Sequence, residues 1–473
     1  MEKIRILYRL GESGRNELMY NLAQELQNKI DHEPFFHCGI SGFHFLKDKI
    51  DQKNLLFMDI GNQTKIKKPD IKFLKNAEEK FDFNIWDIWE IVAQRSKKRR
   101  RESEDQVLIQ HEYIIKELEH FLDENKITHF VIYGAAASGD IIFFKMMKQK
   151  NIKVISLHAS ALQKRFAIAN DLSNNLFKLK ENYQEIKDKG FTNQEKDLAL
   201  ELLRAYREKN YKPDCIITHK ELKINKIKRY TQAGWSMIKG QKSFPTRFRH
   251  LFWKPIQKVY DHLGIFEKPI KGEKFILYPL HHQPEASTLI YGKWYNNQLN
   301  LIENLVRSIP VDCKLYVKVH NFGYGNRDIK FYKEISKYSN VRLINPQSNN
   351  LDLIKQSSLV ITITGTSGWE AIMFQKPVII FGDIFYDVFD CVKKIEKIRD
   401  LPTTIKELLG KKIKYEETLA CLTALIRSTY PGFIRLPGDC NGLSLKEENI
   451  KLLVDGIYAS LQPQVIDEQP AVD

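Results

Sequence analysis

The chain has 473 residues, with 74 Lys or Arg and 59 Asp or Glu, so its formal charge is +15. A hydrophobic content of 43% with 11% aromatic residues excludes general disorder, and the length suits two or three domains with ample cores. No run of 18 apolar residues occurs, which argues against a membrane-spanning helix.

The N-terminus lacks the pattern of a secretory signal peptide, and residues 4–8 instead indicate a first buried strand. The six cysteines are widely separated and show no ligand spacing, which favours buried thiols in a reducing compartment over disulfides or a zinc site. We therefore expect a cytoplasmic protein with no metal site.

Strand-like apolar runs alternate with helix-like segments along most of the chain. The strand-like runs are residues 4–8, 55–59, 129–133, 153–157 and 215–218, then 275–278, 314–319, 341–344, 359–364 and 377–381. The helix-like segments are residues 15–27, 106–125 and 193–209, then 296–308, 328–336, 351–356 and 368–374. This alternation predicts an α/β fold of two doubly wound, Rossmann-like domains that face a cleft. Their ligands should bind at the carboxyl ends of the strands.

A connector rich in Pro, Gly and Lys at residues 268–273 marks the predicted domain boundary. The predicted domains are residues 1–265, with a basic helical insertion at 222–260, and residues 272–440. A closing helix is predicted at residues 441–461 and a disordered tail at 462–473.

The loop that follows Thr364 is the most informative motif. It consists of Gly365, Thr366, Ser367 and Gly368 and opens a helix. Glycines admit a phosphate to the backbone, hydroxyls donate to it, and a helix N-terminus offers free N–H groups. Glu370 could cap this helix or accept hydrogen bonds from a ribose or sugar hydroxyl. The alternative is an ordinary tight turn with a Thr or Ser N-cap.

A second polar cluster directly follows the strand at 275–278. Its members are His281, His282, Gln283, Glu285, Ser287 and Thr288. We interpret it as part of a binding site, and the alternative is a capping box in which Ser287 or Thr288 opens the next helix. The two adjacent histidines are a weak metal site, because neighbouring side chains on a strand diverge.

Further candidates follow other strands. His320 ends one strand, and Arg327 ends the Gly/Asn loop after it, so both could contact a monophosphate or a diphosphate. In the first domain, Glu12, Glu17 and Asp140 are the carboxylates available as a base or nucleophile, although each could equally be a solvated loop acid or an N-cap.

Parts of the second domain resemble the bacterial capsule polysaccharide synthesis family, which includes Kdo transferases with a GT-B-like fold. The similar stretches are residues 278–288, the strand ending in His320, residues 364–371 and residues 376–382, with a further stretch at 154–171. Asn321 departs from the family pattern, which has a proline after the histidine.

The resemblance implies a glycosyltransferase that builds a bacterial capsule or lipopolysaccharide. Its donor would be a nucleotide-sugar, with a CMP-sugar favoured, and no separate cofactor is expected. The second domain would bind the donor, and the first domain would bind the acceptor. The implied donor-binding residues are His281, His282, Gln283, His320, Arg327, Thr364, Gly365, Thr366, Ser367 and Glu370. The candidate catalytic carboxylates are Asp140, Glu12 and Glu285.

Two alternatives remain open at this point. A nucleotide-sugar 2-epimerase or a polyol-phosphate transferase would share the two-domain frame. A basic nucleic-acid-binding protein would use residues 222–260, which contain ten Lys or Arg, no Asp or Glu and interleaved aromatic residues, together with the basic cluster at 97–101. We favour docking of residues 222–260 on the anionic inner face of the cytoplasmic membrane, with no nucleic-acid partner.

Overall fold

The strands and helices are numbered in chain order in a computed structural model that describes residues 3–11, 14–60, 68–96, 99–134, 138–172, 176–208, 264–320, 327–434 and 442–462. The strands are β1 (Ile4–Arg9), β2 (His32–Cys38), β3 (Leu55–Phe57), β4 (His129–Tyr133), β5 (Lys153–Ala159), β6 (Arg165–Ala169), β7 (Phe275–Pro279), β8 (Lys314–Lys318), β9 (Val341–Ile344), β10 (Leu359–Thr362), β11 (Val378–Ile380), β12 (Val392–Lys394) and β13 (Thr429–Pro431). The helices are α1 (Gly14–Gln27), α2 (Ile40–Leu46), α3 (Ile71–Phe81), α4 (Ile85–Arg95), α5 (Glu104–Glu124), α6 (Ser138–Gln149), α7 (Leu179–Lys189), α8 (Asn193–Arg207), α9 (Ala286–Leu289), α10 (Gln298–Ser308), α11 (Ile329–Ile335), α12 (Asn350–Gln356), α13 (Thr366–Met373), α14 (Leu401–Leu409), α15 (Tyr415–Arg427) and α16 (Glu447–Leu461).

The chain divides into two units. Unit 1 contains the described residues up to Asp171 and from Thr429 onward, and unit 2 contains those from Leu172 to Ser428. Each unit is built around its own sheet.

Unit 1 contains a seven-stranded sheet in the order β13-β6-β5-β4-β1-β2-β3. The five strands from β5 to β3 are parallel, whereas β6 runs antiparallel to β5 and β13 antiparallel to β6. The strand order reverses between β1 and β4, which is where ligands bind in sheets of this type. Apolar residues of β1, β2 and β4 form the core with α1 and α16.

Unit 2 contains a six-stranded, fully parallel sheet in the order β12-β11-β10-β7-β8-β9. This is the doubly wound order, with the reversal between β7 and β10. Helices α10, α11 and α14 pack with the strands in one core. The predicted fold class of two doubly wound α/β domains is confirmed within each unit.

The division into units differs from the predicted boundary near residue 265. Helices α7 and α8 precede that boundary but pack in unit 2, where α8 and α15 are joined by the Glu195–Arg427 ion pair at 2.6 Å. Strand β13 lies before residue 440 but pairs with β6 in unit 1, and α16 packs against α1. A change of composition marks a connector, but it does not indicate which of the two sheets a helix before or after the connector packs against.

Four strands of the structure were not predicted, namely β2, β6, β12 and β13. Strand β2 shows the reason, since its sequence His-Glu-Pro-Phe-Phe-His-Cys mixes charged and apolar residues although most of the strand is buried. The predicted strand at residues 215–218, the basic insertion at 222–260 and nearly all of the predicted tail lie outside the described residues.

Within the described part of the chain, no helix is long and apolar enough to cross a membrane. Of the basic cluster at 97–101, the described residues form a short 3-10 turn, Arg99–Arg101. There Arg99 pairs with Glu102 at 3.2 Å and donates a hydrogen bond to Gln110, so part of this cluster is neutralised locally.

Candidate donor site in unit 2

The candidate site lies at the carboxyl edge of the unit 2 sheet, at its point of reversal. Strand β7 leads to His281, and its neighbour β10 ends at Thr362, so the loops that follow these strands start side by side. Strand β8, on the other side of β7, leads to His320. The fold thereby brings together three motifs, of which the first and the last are joined by contacts between residues 81 and 82 positions apart in sequence.

His281 is bound directly to the end of β10. Its Nε2 accepts a hydrogen bond from the backbone N–H of Ile363 at 3.1 Å and lies 3.0 Å from Oγ1 of Thr362. Because an amide can only donate, Nε2 carries no proton and the ring proton is on Nδ1. Burial, with His320 and Arg327 adding positive charge, lowers the pKa of His281 to about 3. His281 is thus a neutral positioning group at physiological pH.

The loop after β10 is packed too tightly for a side chain at Gly365. A Cβ there would lie 2.6 Å from Oγ1 of Thr362, which accepts the hydrogen bond from the Gly365 N–H at 3.0 Å. Gly365 is the N-cap of α13, and no side chain caps this helix, so the predicted alternative of a Thr or Ser cap is not found. In the first turn, the N–H of Gly368 donates to the Gly365 carbonyl at 3.1 Å, whereas no side chain caps the N–H groups of Thr366, which is exposed, and Ser367. These two N–H groups could donate to an anion.

Thr364, a predicted donor-binding residue, joins the loop after β10 to α9, and its contact with a donor stays a prediction. Its hydroxyl donates to the backbone carbonyl of Ser287, the second residue of α9, at 2.9 Å. Helix α9 begins after Glu285 without a side-chain cap, so the predicted capping box is absent too. Glu285 is exposed at this end of α9.

Asn350, which the sequence analysis did not select, joins the first turn of α13 to Glu370. Its Nδ2 donates to Oγ of Ser367 at 3.1 Å and to Oε2 of Glu370 at 3.0 Å. Burial raises the pKa of Glu370 to about 7, although Asn350 and Lys318 act in the opposite direction. Glu370 therefore does not cap the helix, and it titrates close to neutral pH.

Lys318, at the end of β8, is a second group that the sequence analysis missed. Its side chain is only 6% exposed, and its Nζ donates to the backbone carbonyls of Val319 at 3.2 Å and Pro346 at 3.3 Å. Burial lowers the pKa of Lys318 to about 8, with Glu370 acting in the opposite direction. The sequence contained one sign of this burial: Lys318 lies within an apolar run that predicts a strand of a parallel sheet, and both faces of such a sheet are covered.

Gln283 and Arg327 hold the loop after β7 in place. Arg327 donates through Nη2 to the carbonyl of His281 at 3.0 Å and to Oε1 of Gln283 at 2.8 Å. Gln298 bonds to both main-chain groups of His281 and to Gln283. The polar groups of Gln283 and Arg327 therefore hold the loop in its conformation. Contact of these two residues with a donor stays a prediction.

His282 and His320 form the outer part of the site. Their rings lie 6.1 Å apart, nearly parallel, at the ends of the neighbouring strands β7 and β8. The adjacent His281 turns instead toward Thr362, as expected for neighbours on an extended chain. Among the described residues, no group of three His, Cys, Asp or Glu side chains is arranged to hold a metal ion.

The corresponding edge of unit 1 contains the predicted catalytic residue Asp140. Asp140 is 5% exposed and accepts a hydrogen bond from Nε of Arg9 at 2.5 Å. Arg9 also donates to Nδ1 of His37 at 2.7 Å and lies over the Phe143 ring. The structure thus places Asp140 in a buried ion pair, while Glu12 lies outside the described residues.

Residues 267–391 match the family described as capsule polysaccharide biosynthesis protein. This segment is therefore similar to the capsule polysaccharide synthesis family. The match confirms the resemblance found in the sequence, and it contains His281, Lys318, Asn350 and the loop at Gly365. No curated protein sequence is significantly similar to the chain.

Several solved structures are similar to the chain at low sequence identity. The KpsC β-Kdo 2,7-transferase of Thermosulfurimonas dismutans is 15% identical, over 72% of this chain and 90% of that chain, with a TM-score of 0.39. The UDP-GlcNAc 2-epimerase of Methanocaldococcus jannaschii in complex with UDP-GlcNAc and UDP is 11% identical, over 90% and 99%, with a TM-score of 0.30. A glycosyltransferase of Rickettsia africae is 12% identical, over 97% and 99%, with a TM-score of 0.29.

Proposed function

We propose that this protein is a glycosyltransferase of capsule or lipopolysaccharide synthesis whose unit 2 binds a nucleotide-sugar donor. One observation carries the proposal: His281 after β7 contacts the end of β10 at the reversal point of the sheet, and His320 at the end of β8 lies beside His282, all within the segment that matches the capsule family. Ligands of doubly wound sheets bind at this position.

In this proposal the donor's phosphate lies against the first turn of α13. The uncapped N–H groups and the hydroxyls of Thr366 and Ser367 donate to the phosphate oxygens, and Glu370 accepts from a ribose or sugar hydroxyl. The same donors stabilise the negative charge that develops on the nucleotide as the sugar leaves. A CMP-sugar is the favoured donor, as the family resemblance implies.

A thermal-shift screen with CMP, CDP, UDP and GDP tests donor binding. A ligand of the folded state raises the melting temperature in proportion to ln(1 + [L]/Kd), so we expect one nucleotide to stand out. No shift with any nucleotide contradicts the proposal.

Turnover of the matching nucleotide-sugar then separates the reaction classes. A glycosyltransferase consumes the donor rapidly only when an acceptor glycan is present. A 2-epimerase converts the nucleotide-sugar without an acceptor, and that result would replace the transferase assignment. Transfer of a polyol phosphate would appear as phosphate in the product.

We also propose that residues 222–260 dock on an anionic membrane surface, where a lipid-linked acceptor would be presented. The support is their sequence, with ten basic and no acidic residues. Each basic side chain near such a surface contributes about 1 kcal/mol. Co-sedimentation with vesicles that contain phosphatidylglycerol should exceed that with pure phosphatidylcholine vesicles, and equal binding contradicts docking. Binding to RNA at nanomolar Kd without any nucleotide-sugar turnover would support the nucleic-acid alternative instead.

A further inference from the structure

Lys318 is a buried cation without a carboxylate at ion-pairing distance among the residues that the structure describes. Its two hydrogen-bond acceptors, at 3.2 and 3.3 Å, are backbone carbonyls that carry no net charge. A buried charge is costly unless an opposite charge accompanies it. Its position at the carboxyl edge of β8, beside the reversal point, is where an anionic ligand of this fold would lie.

Glu370 is the carboxylate that acts electrostatically on Lys318. It is fixed on α13 by Asn350, and the same amide nitrogen binds Ser367 in the first turn of that helix. Asn350 therefore connects Glu370 to Ser367, which is one of the residues expected to contact the phosphate. An anion bound at this turn is attracted by Lys318 and repelled by an ionised Glu370.

We propose that Lys318 is the cation that holds the donor's phosphate, and that Glu370 takes up one proton from solvent as the phosphate binds. The phosphate then replaces Glu370 as the counter-charge of Lys318. This inference rests on the proposed donor site, and it adds to that site a binding residue and a proton that is coupled to binding.

The charges around the pair favour this exchange near neutral pH. The pKa of Glu370 is about 7 and that of Lys318 about 8, so both protonation states of Glu370 are accessible while Lys318 is still charged. Among the described residues, other titratable or charged groups on the surrounding elements include His281, His282, His320, Arg327, Arg207, Asp352, Lys355 and Tyr386. His281 is already neutral in this range because its pKa is about 3.

The sign of the pH dependence follows from this charge balance. A bound anion favours protonated Lys318 and protonated Glu370, so binding takes up protons and the affinity falls as pH rises. Between pH 6 and 8 we expect the loss to come from ionisation of Glu370, and above pH 8 from deprotonation of Lys318. Each linked proton weakens binding by up to about tenfold per pH unit.

Isothermal titration of the full chain with CMP and with UDP tests the proposal. At pH 7.5 the binding heat is measured in Hepes and in Tris, whose ionisation enthalpies differ, so that the difference reports protons exchanged. We expect net uptake of a fraction of a proton by the wild-type protein, and lower uptake by the Glu370→Gln variant.

Three lysine variants separate the charge of Lys318 from its packing. Lys318→Met should weaken nucleotide binding by about tenfold or more, whereas Lys318→Arg should retain most of the affinity. Lys314→Met is the matched control on the same strand, because Lys314 bonds the carbonyl of Ser339 at the opposite edge of the sheet. We expect its affinity to be unchanged.

The outcomes separate this inference from the proposed function. Binding of a nucleotide without proton uptake, or wild-type affinity in Lys318→Met, overturns the role of the pair but leaves the donor site standing. Failure of every nucleotide to bind contradicts the donor site itself. If Lys318→Met does not fold, the wild-type and Glu370→Gln proton counts still decide.

Discussion

The two sheets have the same reversal of strand order but opposite electrostatics at that point. In unit 1, between β1 and β4, the charged side chains bind one another, since Arg9 contacts both Asp140 and His37. In unit 2, Lys318 at the end of β8, next to the reversal, donates to two backbone carbonyls and has no carboxylate at ion-pairing distance among the described residues, and α13 has no side-chain cap. Topology therefore provides a candidate edge in both units, and side-chain pairing makes the edge of unit 2 the better candidate for an anion.

The comparison also bears on the predicted base. A general base must reach the proton that it accepts. Asp140 is buried, and one of its carboxylate oxygens is already bound by the Arg9 guanidinium. The catalytic role of Asp140 stays a prediction. In that role, the carboxylate would act while Arg9 is bound to one of its oxygens.

The largest expected difference between the units is their response to acid. Among its described residues, unit 1 contains five histidines whose pKa is lowered by burial, namely His32, His37, His111, His129 and His158. Their folded-state pKa lies below the unfolded value of about 6.5, so their stabilising contribution is complete above that pH and is lost as pH falls. The loss reaches about 1.4 kcal/mol per pH unit for each fully titrating group.

Unit 2 has two histidines of this kind among its described residues, His281 and His320. It also has an opposing group in Glu370, whose raised pKa favours the folded state as pH falls. We therefore expect unit 1 to lose amide protection before unit 2 when pH falls from 7 to 4. Hydrogen exchange followed by mass spectrometry resolves peptides from each unit. A His129→Gln variant should weaken the effect in unit 1, and earlier opening of unit 2 would contradict the comparison.

The next effect is loss of the Arg9–Asp140 ion pair. Arg9→Met leaves a buried carboxylate without its cation and should destabilise unit 1 by about 3 kcal/mol. The double variant Arg9→Met with Asp140→Asn should recover part of this loss. Denaturant unfolding monitored by hydrogen exchange in unit 1 measures both. Lys318→Met in unit 2 should cost less stability, because no carboxylate of the described residues lies at ion-pairing distance from Lys318 and would be left unpaired.

The smallest effect separates the ligand edge of unit 2 from its overall stability. Gly365→Ala places a methyl group against the Thr362 hydroxyl and should shift the start of α13, so we expect nucleotide affinity to fall by about tenfold with a small change in melting temperature. Gly410→Ala is the control, since a Cβ there meets only the Glu407 carbonyl at 3.9 Å. Equal affinity in both variants would argue against phosphate binding at α13.

Much of unit 2 could be predicted because its strands are apolar throughout and end in polar loops. The strands β7, β8, β9 and β10 were found within two residues of their ends, and His281, Gly365 and Ser367 were selected as site residues. Domain membership was harder, since α7 and α8 carry no mark in sequence that assigns them to the later sheet.

The amino-acid sequence by itself determined that the chain forms two α/β sheets of mainly parallel strands, and that polar loops follow the strands of the second sheet. It could do so because strand–helix alternation and polar strand ends are local patterns. Only the tertiary structure decided what those residues contact: that Arg327 holds a loop, that Asp140 is paired with Arg9, and that Lys318 is buried against two backbone carbonyls. Such roles depend on contacts between distant segments, which arise only when strands align in a sheet and bury charges together.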